Sequence, residues 1–277
     1  MKGFLFGSAL ILMSLVVLGL SITMSTESSK RNSDMLRLSI FDRIDDEIKA
    51  TNNGYRDILN NFIKISIQGN NATFSETLKD TSASNFFTFA NNFKTFVEKN
   101  SSFNIKMDLT GVTNKLPLRI KPVNVLYDHP LDFGDKRIEV TNAQQITGYN
   151  ITIFLNKTGA TPVEWEEGPA NDANGLRVNI VTGGLTGNDF SFSGTLSRTE
   201  LSELRIKLPG ADTIIRIGNE DVPGRLRITN DNTATAVLVN TTITVNATNL
   251  YVAFPDQSIN ITAGEYNISK VDAVRVA

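Results

Sequence analysis

The sequence predicts an α+β chain: an N-terminal transmembrane helix and helical stalk, followed by an antiparallel β-sandwich head. Three observations carry this expectation. Residues Phe4–Met24 run 21 positions without a charge. Apolar residues then recur in steps of three and four, which is helical spacing. From about Phe103 onward the apolar residues alternate instead, which is strand spacing. The expected boundaries are 1–24 for the leader and transmembrane helix, 25–100 for the helical stalk region and 101–277 for an extracellular β-sandwich domain.

The opening segment comes first. A helix of about 21 residues at ~1.5 Å per residue spans roughly 30 Å, the thickness of a bilayer's hydrocarbon core. Secretory signals that are removed carry a shorter apolar run and a small-x-small cleavage site. Only Ser21 and Thr23 offer that pattern here, so the segment reads as retained. Lys2 precedes it and Lys30 and Arg31 follow it, so basic residues do not orient it.

The stalk follows the polar stretch STESSKRNSD. Phe41, Ile44, Ile48, Thr51, Tyr55, Ile58, Phe62 and Ile65 form one stripe, with Arg43, Asp45, Asp46, Lys49 and Arg56 on the opposite face. Asn52-Asn53-Gly54 predicts a helix end or kink within this run, because Asn and Gly accept left-handed backbone. The stripe packs either on the chain's own head or on neighbouring subunits. A second helix is predicted from about Ser84 to Lys99, where Phe86, Phe89, Phe93 and Phe96 make a core stripe.

In the head, Tyr149, Ile151, Ile153 and Leu155 share one face of a strand. Leu176, Val178 and Ile180 do the same, as do Val237, Val239, Ile243 and Val245. Turn signals such as Gly183-Gly184, Pro209-Gly210 and Pro223-Gly224 separate the runs. One-sided alternation with frequent turns describes an antiparallel sandwich.

Lys2-Gly3-Phe4-Leu5 carries a resemblance. A short basic leader ending in Gly and running directly into an apolar helix resembles the processing site of type IV pilins and their archaeal relatives. The resemblance covers about the first 25 residues of this chain. It implies that a peptidase cuts between Gly3 and Phe4, with Lys2 in the leader, and that the freed helix packs into a filament core. The bacterial form has Glu at the fifth position after the cut. Here that position is Ser8, which points to the archaeal branch.

Eight Asn-x-Ser/Thr sequons follow the apolar segment, at Asn71, Asn100, Asn150, Asn156, Asn240, Asn246, Asn260 and Asn267. They are glycosylation candidates, and their use requires export. The expected localisation is therefore the cell membrane, single-pass, with the N-terminus cytoplasmic and the C-terminal domain extracellular.

Composition excludes several functions. Lys+Arg 27 against Asp+Glu 29 leaves a net charge of -2, so no nucleic-acid partner is expected. The chain has no cysteine and one histidine, His129, in the loop-like YDHPLDFGD. That rules out disulfides, thiol nucleophiles and zinc sites of the usual composition, and no metal or cofactor is expected. Glu164-Trp165-Glu166 is a weak carbohydrate-binding candidate, with a sugar stacked on the indole and carboxylates for its hydroxyls. In a strand, Trp165 faces the core instead and both glutamates face water. Paired acids for a polysaccharide-cleaving enzyme are only scattered candidates.

The expected function is a non-enzymatic, membrane-anchored surface protein, a pilin-like structural subunit. Its partners are the lipid bilayer and other copies of itself or pilin-like subunits. The alternative is a permanently signal-anchored glycoprotein whose β head binds a surface partner or carbohydrate.

Overall fold

A computed structural model describes residues 2–78, 86–114, 116–128, 137–155, 162–184, 190–208, 210–231, 236–264 and 268–277, with side chains from residue 13 onward. The chain opens with one continuous helix, α1 (Lys2–Leu59), of 58 residues. A hairpin of β1 (Ile63–Gln68) and β2 (Asn71–Leu78) turns at Gly69, whose φ of 61° suits glycine. Then come α2 (Phe86–Asn100), β3 (Asn104–Asp108), the single turn α3 (Thr110–Thr113), β4 (Leu118–Lys121), β5 (Val125–Asp128), β6 (Arg137–Thr141) and β7 (Ile146–Leu155). The chain continues through β8 (Val163–Glu167), β9 (Asn171–Gly184), β10 (Phe190–Leu196), β11 (Ser202–Ile206), β12 (Thr213–Ile217) and β13 (Leu226–Asn230). It ends with β14 (Val237–Val245), β15 (Tyr251–Ala263) and β16 (Ile268–Arg275).

Two sheets result. The six-stranded sheet has the order β1-β2-β14-β7-β9-β10. The ten-stranded sheet runs β16-β15-β4-β5-β6-β13-β12-β11-β8, with β3 also paired to β15. Their inner faces meet in one hydrophobic core. Phe74 of β2 stacks on Tyr127 of β5 at 3.8 Å between ring centroids. The Tyr149 hydroxyl of β7 donates to the Gly224 carbonyl at 2.7 Å. Asn230 Nδ2 of β13 donates to the Leu78 carbonyl of β2 at 3.1 Å.

The second half of α1 is clamped to this sandwich. Ile40, Ile44, Ile48, Thr51, Tyr55 and Leu59 are buried, spaced by three or four residues. They pack on α2, β15 and β16. Tyr55 meets the edges of Phe86 and Phe254, and Gln257 Nε2 donates to its hydroxyl at 3.3 Å. Lys270 of β16 pairs with Asp45 at 2.5 Å. Of the expected stalk stripe, Ile44, Ile48, Thr51 and Tyr55 are buried against the chain's own head, whereas Phe41 is 45% exposed and Ile40 takes the buried place beside it.

The expected fold class is corrected in three respects. The chain is mostly sheet, 49% strand against 30% helix, in two large sheets. Residues 63–78 of the expected stalk form a hairpin in the six-stranded sheet, so the sheets take in strands well before residue 101. Phe62 and Ile65 continued the helical stepping by coincidence, because Ile63, Ile65 and Ile67 also alternate as a strand does. The six-stranded sheet is not wholly antiparallel either, since β7 and β9 run parallel.

The third correction concerns the membrane. Among the described residues, no helix is long and apolar enough to cross one. Within α1 the apolar stretch gives out at Met24. The helix then enters the polar run from Ser25 to Asp34. The transmembrane, single-pass and cell-membrane assignments are therefore not supported. The cytoplasmic N-terminus and extracellular head, which rested on them, are not supported either.

The helix does not end at the expected place. Asn52-Asn53-Gly54 lies inside α1. Gly54 serves as a notch: a Cβ there would stand 2.7 Å from Phe93 Cζ of α2.

Candidate functional site

Two surfaces stand out. The first is the free half of α1. Every residue from Met13 to Ser39 is exposed, and Ile40 is the first to be buried. Leu15, Val16, Val17 and Leu18 are 55–65% exposed. Four consecutive residues stand ~100° apart around a helix, so this segment is apolar on all sides. A helix of that kind needs a partner on all sides, and this chain supplies none among the described residues. The polar belt Glu27, Lys30, Arg31 and Asp34 interrupts the apolar surface, which resumes at Met35, Leu36 and Leu38. The leader residues Lys2, Gly3 and Phe4 lie at the start of α1, and their side chains are outside the described set.

The second surface is the outer face of the six-stranded sheet. Register builds it in rungs across β14, β7, β9 and β10. One rung is Thr244, Gly148, Arg177 and Thr195. The next is Thr242, Asn150, Asn179 and Ser193. Gly148 leaves a gap in the first rung, and the residues around it enclose a trough of about 480 Å³. Asn179 Nδ2 donates to Asn150 Oδ1 at 3.1 Å, which orients both amides. On the β2 side, Thr244 donates to Asn71 Oδ1 at 2.7 Å, and the Thr73 and Thr242 hydroxyls lie 3.0 Å apart.

The sequons divide between these environments. Asn71, Asn150 and Asn240 share the outer face of this sheet. Asn150 is exposed, whereas Asn71 and Asn240 are half-buried. Asn100 ends α2, Asn246 follows β14 and Asn260 lies on β15, all three exposed. Asn156, Asn267 and His129 lie outside the described residues.

Trp165 sits on β8, at the edge of the ten-stranded sheet, and is half-buried in an edge-to-face contact with Phe192 at 5.0 Å. Glu164 pairs with Lys207 and Glu166 with Arg205, with both glutamates exposed at the sheet edge. Arg205 and Arg216 also reach Glu203, at 3.1 and 2.6 Å. Among the described residues, no three His, Cys, Asp or Glu side chains gather as metal ligands.

Sequence reasoning missed one buried ionisable pair. Glu76 on β2 accepts a hydrogen bond from Tyr127 on β5, so the contact bridges the two sheets. Burial pushes the Glu76 carboxyl up to about 8, opposed by the Tyr127 hydrogen bond and reinforced by the nearby Asp128 charge. The Tyr127 hydroxyl is pushed well above its ordinary range by burial and by Glu76. A signal existed: Ala72, Phe74, Glu76 and Leu78 occupy one strand phase, with an acid in the apolar series.

No protein-family model matches the chain, and comparison with the curated proteins and with the solved structures finds no match.

Proposed function

We propose that the protein is a non-enzymatic structural subunit of pilin-like type, which assembles with copies of itself through the free half of α1. The observation that carries this reading is the exposed segment Met13–Ser39, apolar on all sides over Leu15–Leu18. Burying such a side chain is worth about 1.5–3 kcal/mol, so eight large apolar side chains between Met13 and Met24 strongly favour association. A single docked surface covers one face of a helix. Several parallel copies cover all of them, and each copy offers the same apolar length to the others. The belt is also self-complementary, since Glu27 and Asp34 carry two negative charges and Lys30 and Arg31 two positive ones. Staggered copies can pair them across helices.

The test uses the full chain and Leu18→Glu. Leu18 is 61% exposed, so the variant should keep its thermal stability. Sedimentation and negative-stain microscopy should show assemblies for the natural sequence and monomers for the variant. A natural chain that stays monomeric, or a variant that assembles equally well, would defeat the proposal.

A further inference from the structure

We propose that the trough on the outer face of the six-stranded sheet binds a saccharide carrying a carboxylate, with Arg177 as the anion-recognising residue. This inference does not rest on self-assembly. It rests on shape, chemistry and an unpaired charge.

The shape comes from Gly148. Its neighbours across the sheet are Thr244 and Arg177, and a Cβ on it would lie 2.6 Å from the Arg177 carbonyl oxygen. The rung therefore has a fixed gap between two polar side chains. The resulting trough of about 480 Å³ falls in the range of small-ligand sites.

The chemistry comes from the lining. Asn150 and Asn179 supply amides, and Ser193, Thr195 and Thr244 supply hydroxyls. Such groups donate and accept at once, as sugar hydroxyls do. The trough contains no carboxylate, which disfavours a cation. Its one aromatic residue, Tyr149, turns its hydroxyl inward to the Gly224 carbonyl. No ring is therefore offered for stacking a neutral pyranose, and recognition has to come from hydrogen bonds and charge.

The charge is Arg177. It is exposed, and no acid among the described residues pairs with it. Guanidinium holds a carboxylate through two parallel hydrogen bonds, a geometry that water and neutral hydroxyls do not match. The nearest amides, held in place by the Asn179–Asn150 bond at 3.1 Å, then meet hydroxyls on the same sugar. A glycan attached to Asn150 and a ligand in the trough would exclude each other, so the measurement is made on protein whose mass shows Asn150 unmodified.

The experiment titrates the full chain with a galacturonic-acid trimer, with the matching neutral galactose trimer and with a tripeptide bearing a free C-terminus. Binding is followed by calorimetry and by amide chemical shifts along β7, β9 and β10. The acidic trimer should bind at least tenfold more tightly than the neutral one. Arg177→Ala should remove that preference. Ser193→Phe should block the trough and weaken binding of the acidic trimer without touching Arg177. Both substitutions fall at exposed positions, and an unchanged melting temperature confirms that each variant is folded. Absence of binding, equal binding of the two trimers, or an undiminished preference in Arg177→Ala would overturn the proposal. Tighter binding of the tripeptide would overturn it in favour of a peptide carboxylate.

Discussion

Glu76 should make stability fall as pH rises, against the usual behaviour of a carboxylate. Its ordinary value of 4.5 describes the unfolded chain, and its folded value is about 8. Below 4.5 both states are protonated, and the group contributes no penalty. Between 4.5 and about 8 the unfolded chain loses its proton while the folded chain keeps it, so the free energy of unfolding falls with each pH step. At about 1.4 kcal/mol per pH unit, the whole interval amounts to roughly 5 kcal/mol. That is a large share of the ~5–15 kcal/mol that holds a typical domain together. Glu76→Gln removes the titration and keeps an acceptor for the Tyr127 hydroxyl. Urea denaturation of both proteins from pH 4 to pH 9, read as the difference between their profiles, isolates this one group. The difference should grow steadily through neutrality and level off near pH 8, with the variant the more stable protein at the alkaline end. Parallel profiles across that range would refute the reasoning, because they would mean that Glu76 ionises inside the core at no cost.

Two further outcomes follow from the clamp and the leader. Ile44→Ala empties a fully buried position where α1 meets the sandwich and should cost about 2–5 kcal/mol in urea denaturation. If the leader is processed as the pilin resemblance implies, intact-mass measurement of the native protein will find a chain beginning at Phe4. A chain that still carries Lys2-Gly3 would contradict that implication of the resemblance.

The strand phases were legible in the sequence. Tyr149, Ile151, Ile153, Leu155, Val178, Ile180, Val239 and Ile243 are all buried, as their alternation predicts. Which strands become neighbours was not legible. β14 lies between β2 and β7, and β7 pairs in parallel with β9, so each rung of the outer face gathers residues from distant parts of the chain. Arg177 and Asn150 are adjacent to the trough only through that register. The α2 stripe shows the same limit. Phe86 is fully buried, yet Phe89 is 52% and Phe96 63% exposed, although all lie at helical spacing. Periodicity identifies a face but not whether the fold provides something to cover it. The length of α1 was hidden for a related reason. Asn and Gly at 52–54 weaken a helix locally, but packing of Phe93 against Gly54 overrides that tendency.

The clamp also determines how the molecule meets tension. Force applied to the free end of α1 along its axis must slide Ile40, Ile44, Ile48, Tyr55 and Leu59 out of their seats together. The Phe93 ring, lodged at Gly54, acts as a catch against that sliding, since the next turn of helix brings a larger side chain to the same place. Force applied sideways peels the seats apart one at a time, beginning at Ile40. The rod therefore holds best when pulled lengthwise.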